Sequence, residues 1–370
     1  MLKQTDKPST VIFRTDASLE IGTGHVMRCL TLALGLSKAG SSVGFLCREQ
    51  DGSLIDLIKS FGFSVCALPP LSQQDAVKIS ETDLPYAVWL GCNWQVDVEH
   101  CRAVLCDPVD WIIVDHYALD YRWEKAMRDK CHKMMCIDDL ADRVHECDLL
   151  LDQNLGRTEK HYRELVSPET RLLLGPQYAL LRGEFAEWRN FSLNKRKQPQ
   201  LRHLLVTMGG VDSDNMTAVI LKIIDKSQFV GLEHITVVLG PHAPWTDNVK
   251  ELASKMSLSV TILSSVNNMA ELMARSDLAI GAGGTTTWER CCLGIPTVII
   301  SLAANQRHIS KEVCKAGAAI LCQVKEVEVE LENILCEVSD PERLQQLSWN
   351  SSQITDGRGM QLVSQILGGS

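Results

Sequence analysis

A chain of 370 residues exceeds the roughly 250–300 at which one hydrophobic core stops growing, so two domains are expected. Hydrophobic residues at 45% and charged residues at 22% exclude a disordered or fibrous chain. The net charge of −9 argues against a nucleic-acid partner or docking on a membrane surface, because both rely on a basic field.

No apolar run approaches the ~18–20 residues of a membrane span, and the first residues lack a signal-peptide core, so a cytoplasmic protein is expected. The fourteen cysteines include no C-x-x-C pair, and several sit in apolar stretches, among them Cys29, Cys66, Cys136 and Cys322. They read as reduced thiols; no His/Cys cluster has zinc spacing, and no metal is expected.

In chain order, apolar and β-branched runs at 10–14, 42–47, 63–68, 111–115 and 133–139 are each followed by a helical pattern. The polar stretch 190–200 interrupts that rhythm, and residues 191–200 are read as a linker. Runs at 204–208, 235–240, 260–264, 278–281, 297–301 and 318–322 resume it. From about Pro341 to Ile366 the pattern is helical, with apolar Leu344, Leu347, Leu362, Val363 and Ile366.

The expectation is an α/β protein of two doubly wound, mainly parallel sheets facing a cleft. Its N-terminal domain spans 1–190 and its C-terminal domain 201–340, with helices at 341–370 that cross back to the first domain. Ligands of such sheets bind beyond the carboxyl ends of the strands.

The first strand ends at Asp16, a candidate substrate contact, and is followed by IGTGHVMRCLTLALGL, where Gly22 and Gly24 flank a tight turn and His25 opens an amphipathic helix. Glycines let backbone approach a ligand, and free N–H groups at a helix start face an anion. An imidazolium is disfavoured there, so His25 reads either as a neutral general base or as a capping residue. Arg28, one turn on, pairs with a phosphate or with Asp16, or is solvated.

After the strand at 111–114, Asp115, His116 and Tyr117 reach the same region: Asp115 and Tyr117 as sugar contacts or a helix cap, His116 as the rival base. Asp138, Asp139, Asp152 and Asn154 end further apolar runs and read as sugar contacts or as turn formers.

In the second half, Gly209 and Gly210 form one strand-to-helix turn, with Asp212 or Ser213 as a cap. GAGGTTTWE offers another: Gly283, Gly284, Thr285 and Thr286 suit a diphosphate, and the Glu289 carboxylate can accept from both hydroxyls of a ribose. Asn305 and Gln306 follow the 297–301 run as amide contacts. Neither a G-K-[ST] phosphate loop nor a G-x-G-x-x-G turn is present, which removes support for ATPase and dehydrogenase readings.

Six segments in order, at 13–33, 114–124, 137–156, 173–185, 207–215 and 281–298, resemble the hydrolases of pseudaminic acid biosynthesis. Those act on UDP-2,4-diacetamido-2,4,6-trideoxy-β-L-altropyranose. The resemblance implies a fold like the GT-B glycosyltransferases and UDP held by the C-terminal half, with Glu289 on the ribose.

It also implies that His25 activates water for attack at the anomeric carbon, with inversion and release of UDP. No cofactor is implied; a monomer acting on a UDP-linked diacetamido sugar is expected. Where family members can carry an amide beside the ribose-binding glutamate, this chain has Trp288. The alternatives are a GT-B transferase using a UDP-amino sugar donor and a non-catalytic nucleotide-sugar sensor.

Overall fold

The computed structural model describes residues 8–70, 84–227, 229, 231–240, 243–302 and 306–368. The chain divides into two compact units, Met1–Leu180 with Gly359–Ser370, and Leu181–Arg358.

The first unit carries β1 (Thr10–Thr15), β2 (Ser42–Arg48), β3 (Ser64–Leu68), β4 (Val109–Asp115), β5 (Cys131–Ile137), β6 (Leu149–Asp152) and β7 (Arg171–Leu174). They form a seven-stranded sheet, ordered β3-β2-β1-β4-β5-β6-β7, with every pairing parallel. Alternate side chains feed two cores, as expected of parallel strands covered on both faces. Val11, Phe13, Phe45, Trp111, Ile113 and Met135 pack under the helix Gly24–Lys38. Leu46, Ile112, Val114 and Met134 pack under the helices Trp94–Val104 and Tyr121–Ala126.

β6 and β7 lack a clear strand signal in the sequence. LLLD and RLLL contain no β-branched residue and are only four residues long.

The second unit carries β8 (His203–Thr207), β9 (His234–Leu239), β10 (Ser259–Ser264), β11 (Leu278–Ala282), β12 (Thr297–Ile300) and β13 (Ile320–Cys322). Their order is β10-β9-β8-β11-β12-β13, again all parallel. In each sheet the strand order reverses once, between β1 and β4 and between β8 and β11. Loops leaving the carboxyl ends of those strands diverge to opposite faces and open a crevice.

The expected linker requires a correction, because residues 191–195 continue the helix Gly183–Lys195. Polarity was a misleading signal because this segment docks through hydrogen bonds to carbonyls as well as through buried Phe185. Arg189 donates to the Ser352 carbonyl (2.7 Å), Ser192 to that of Leu293 (2.6 Å) and Arg196 to that of Ser276 (2.9 Å).

The terminal helices part company: Pro341–Ser352 belongs to the second unit, whereas Gly359–Gly368 packs Val363 and Leu367 into the first unit's core.

Candidate active site

At the β1/β4 reversal the structure brings His25, Arg28, Asp115 and Tyr117 together. Gly22, at φ +77°, closes a turn in which its N–H donates to the Ser18 carbonyl (2.9 Å); Gly24 then begins the helix that presents His25. His25 Nδ1 lies 2.6 Å from Asp115 Oδ1. Arg28 donates through Nε to Asp115 Oδ2 and through Nη2 to Asp115 Oδ1, both at 2.6 Å. A fork-to-carboxylate pair of this kind fixes geometry as well as charge.

Arg28 also donates to Asp139 Oδ2, where the Tyr117 hydroxyl donates at 2.8 Å. The partners of Arg28 are thus Asp115 and Asp139, not Asp16. Burial alone raises the Asp115 carboxyl, but the Arg28 guanidinium and His25 outweigh it and hold Asp115 well below the usual carboxylate range. Burial and the Asp139 charge push the Tyr117 phenol up, so Tyr117 is a neutral donor.

The ionised Asp115 carboxylate, fixed on Nδ1, accepts a hydrogen bond from that nitrogen. Nε2 remains as the nitrogen that can accept a proton.

Asp16 occupies a different environment from the one expected of a substrate contact. It is wholly buried, 2.7 Å from Arg14 Nη1, and accepts from the Arg48 backbone N–H at 2.7 Å. Arg14 and Arg48 share Asp97, which the Trp123 indole also reaches. Burial raises Asp16, yet Arg14 prevails and holds it low.

His116 belongs to this second network: its Nδ1 accepts from the Ala118 N–H (3.1 Å), its Nε2 lies 3.3 Å from Asp16, and burial lowers its pKa. Enclosure and this hydrogen bonding leave His25 as the candidate base.

Asn154, expected to contact the sugar, is instead enclosed, and its amide donates to the Asp139 carbonyl at 2.9 Å. Beyond it, Asp152 lies under the Tyr162 hydroxyl, which stands 2.7 Å from Asp152 and 2.9 Å from Asp138. One phenol proton serves only one of these carboxyls. Burial and the Asp139 charge push Asp152 up to about 8.

No helix among the described residues is long and apolar enough to cross a membrane, and all fourteen cysteines are free thiols. The fold, however, gathers Glu124, Cys136 and His145 within 4.8 Å, a grouping that the linear spacing hides. His145 Nδ1 is 2.7 Å from Glu124 Oε1, the Cys136 thiol donates to the same oxygen, and the Glu146 N–H donates to Oε2. These internal donors satisfy the carboxylate.

In the second unit the loops after β8 and β11 emerge side by side. Gly209 adopts φ +95°, and Asp212 caps the helix Met216–Ser227 by accepting from the N–H groups of Met216 (2.9 Å) and Thr217 (3.0 Å). Gly240, after β9, must be glycine because a Cβ there would stand 1.8 Å from the Gly210 carbonyl oxygen.

Along the helix Thr286–Cys292, helical periodicity sorts the motif. Gly284, Thr285, Thr286 and Glu289 remain accessible, whereas Thr287 and Trp288 face the core. Trp288 is fully buried, so it is a packing residue. Gly283 is covered as well: a Cβ there would meet the Ser310 hydroxyl at 2.3 Å. Burial raises the Glu289 carboxyl, which lies 3.9 Å from Arg182 Nη2. Gln306 spends its side-chain oxygen on the Leu302 N–H (3.0 Å), and Asn305 lies outside the described residues.

Tyr86 and Trp89, not anticipated from the sequence, gather their rings beside His25 and Tyr117. Their signal was present as LPYAVWLG, two aromatics three apart in a chain with 5% aromatics.

Residues 203–359 match the glycosyltransferase family 28 C-terminal domain. An uncharacterized protein of Methanocaldococcus jannaschii is 28% identical across 81% of this chain, and the chain spans 57% of that relative's length. The UDP-2,4-diacetamido-2,4,6-trideoxy-beta-L-altropyranose hydrolase of Campylobacter jejuni is 26% identical across 83% of this chain and 97% of its own. This chain is a relative of that hydrolase. Its fold is GT-B-like: MurG from Acinetobacter baumannii superimposes with a TM-score of 0.69 at 15% identity, over 98% of this chain and 100% of its own.

Proposed function

We propose that the protein hydrolyses a UDP-linked 2,4-diacetamido-2,4,6-trideoxy sugar to UDP and the free sugar, with His25 as general base. The observation that carries this is the His25 Nδ1 contact with Asp115 at 2.6 Å, itself locked by the Arg28 fork. The likeness to the Campylobacter hydrolase over nearly that enzyme's whole length supports the substrate class.

In this mechanism His25 Nε2 takes a proton from water as its oxygen bonds to the anomeric carbon. The C–O bond to the β-phosphate breaks, its electron pair leaves with UDP, and the configuration inverts. Asp115 stabilises the imidazolium that forms. UDP is already a good leaving group, so one positioned base supplies most of the required assistance. Glu289 is assigned to the ribose diol, with Gly209, Gly210, Gly284, Thr285 and Thr286 towards the nucleotide, a reading supported by the family 28 match across 203–359. Gly22 and Gly24 are assigned to the sugar side.

The test is turnover of UDP-2,4-diacetamido-2,4,6-trideoxy-β-L-altropyranose in oxygen-18 water without an acceptor. Label in the free sugar is the expected result; label in UDP means attack at phosphorus and overturns the mechanism. The same family match favours a second reading, glycosyl transfer. Turnover only after an acceptor is added brings that reading forward, and binding without any turnover points to a sensor.

A further inference from the structure

Three aromatic rings gather around the proposed base. Tyr117 meets His25 edge-on with centroids 4.5 Å apart, and Trp89 stacks on Tyr117 at 5.7 Å with 23° between planes. Tyr86 lies 4.6 Å from Trp89 and 5.3 Å from Tyr117, tilted by 52° and 55°. Two nearly parallel rings and a third set across them make an apolar corner.

Tyr117 is buried, but Tyr86 and Trp89 are only partly covered and belong to neither core of this unit. Their backbone is nonetheless anchored: Leu90 is buried in the core beneath, and Gln50 Nε2 donates to the Trp89 carbonyl at 3.1 Å. Large rings held in place, partly bare and beside a candidate base, are a surface for a ligand.

We infer that Tyr86 and Trp89, backed by buried Tyr117, form a stacking wall that selects deoxygenated, N-acylated sugars over fully hydroxylated ones. This rests on the reading of His25 as the base that acts on the sugar carbon. A 6-deoxy diacetamido sugar offers three methyl groups and its ring C–H bonds to such a wall. A sugar with a 6-hydroxyl would bring a polar group against ring carbon, and a polar group desolvated without a partner is disfavoured. The tilt of Tyr86 gives the wall its second side, so methyl groups on adjacent positions both find ring surface.

The experiment compares wild type, Trp89→Ala and Trp89→Phe on the diacetamido UDP-sugar and on UDP-GlcNAc, which carries a 6-hydroxyl. Trp89→Ala is expected to lower the kcat/KM preference for the deoxy sugar by roughly tenfold or more, as small apolar differences do in enzyme sites. UDP affinity stays unchanged, and Trp89→Phe recovers most of the preference. In parallel, the affinity gained by adding the sugar to UDP is titrated on His25→Ala with and without Trp89→Ala. An unchanged preference and an unchanged gain in folded Trp89→Ala overturn the wall while leaving hydrolysis standing. If wild type turns over neither sugar, hydrolysis falls, and the binding gain still decides the wall.

Discussion

The two sheets end differently where their strand order reverses. After β1 and β4 the crevice of the first unit holds charged side chains that fix one another, His25 on Asp115 and Arg28 across Asp115 and Asp139, with Arg14 between Asp16 and Asp97 buried behind them. After β8 and β11 the second unit offers glycines and hydroxyls, with Gly284, Thr285, Thr286 and Glu289 left accessible. Under the proposed function, the contrast is a division of labour. Proton transfer needs one atom held within hydrogen-bond reach, so its surroundings are locked; a diphosphate is met by backbone, so its surroundings are kept small.

The sharpest way to break this comparison is His25→Ala. Hydrolysis should fall by about 10²–10⁴-fold, the range of a positioned general base, while UDP binding persists. Steady-state rates beside a UDP titration check both halves, and a folded variant at full rate removes His25 from the chemistry.

Asp115→Asn comes next, because it strikes geometry and charge together. It should cost about 3 kcal/mol of stability in denaturant melts, since half the Arg28 pairing is lost from a buried site, and it should lower kcat more than it changes KM. A variant of normal stability would show the network to be looser than its distances imply.

For the second unit, Glu289→Ala should weaken UDP and the UDP-sugar alike by about 1.5–3 kcal/mol, the value of hydrogen bonds to a charged group. Calorimetric titration decides it; equal affinities would move the ribose elsewhere.

The remaining comparison is of pH dependence. Asp152 titrates at about 8 when folded against about 4 when unfolded, so the folded state holds the extra proton between those values. Its contribution is complete below about 4, declines as pH rises and is lost above about 8. Asp115, Asp16 and Asp138 act oppositely: burial raises each, but their partners lower them further, and their contribution is lost as pH falls below about 4. Asp152→Asn should therefore flatten the fall in Tm between pH 5 and 8 and leave the acid limb in place. An unchanged slope assigns the decline to other groups.

Much of this was legible in the residues. The β-branched runs located eleven of the strands in the two sheets, and the glycine turns marked the loops after β1, β8 and β11. His25 stood out because a titratable residue opens a helix directly after glycine. Asp16 looked equally suitable by position, but it faces Arg14 inside the sheet, and strand-end position alone does not reveal which way a side chain is satisfied. Tyr86 and Trp89 were passed over because a four-residue helix, Ala87–Leu90, leaves too short a pattern to read.

By itself, then, the sequence determined what depends on near neighbours: alternating strands and helices, tight turns at glycine, and six ordered segments that carry a likeness to known hydrolases. Tertiary structure decided the partners. His25 and Asp115 are 90 residues apart, Arg28 and Asp139 are 111 apart, and Ser192 and Leu293 are 101 apart. Such pairs form only when parallel strands distant in the chain are laid side by side. Burial then sets which charges must be matched, because a charge removed from water needs a partner wherever the fold supplies one.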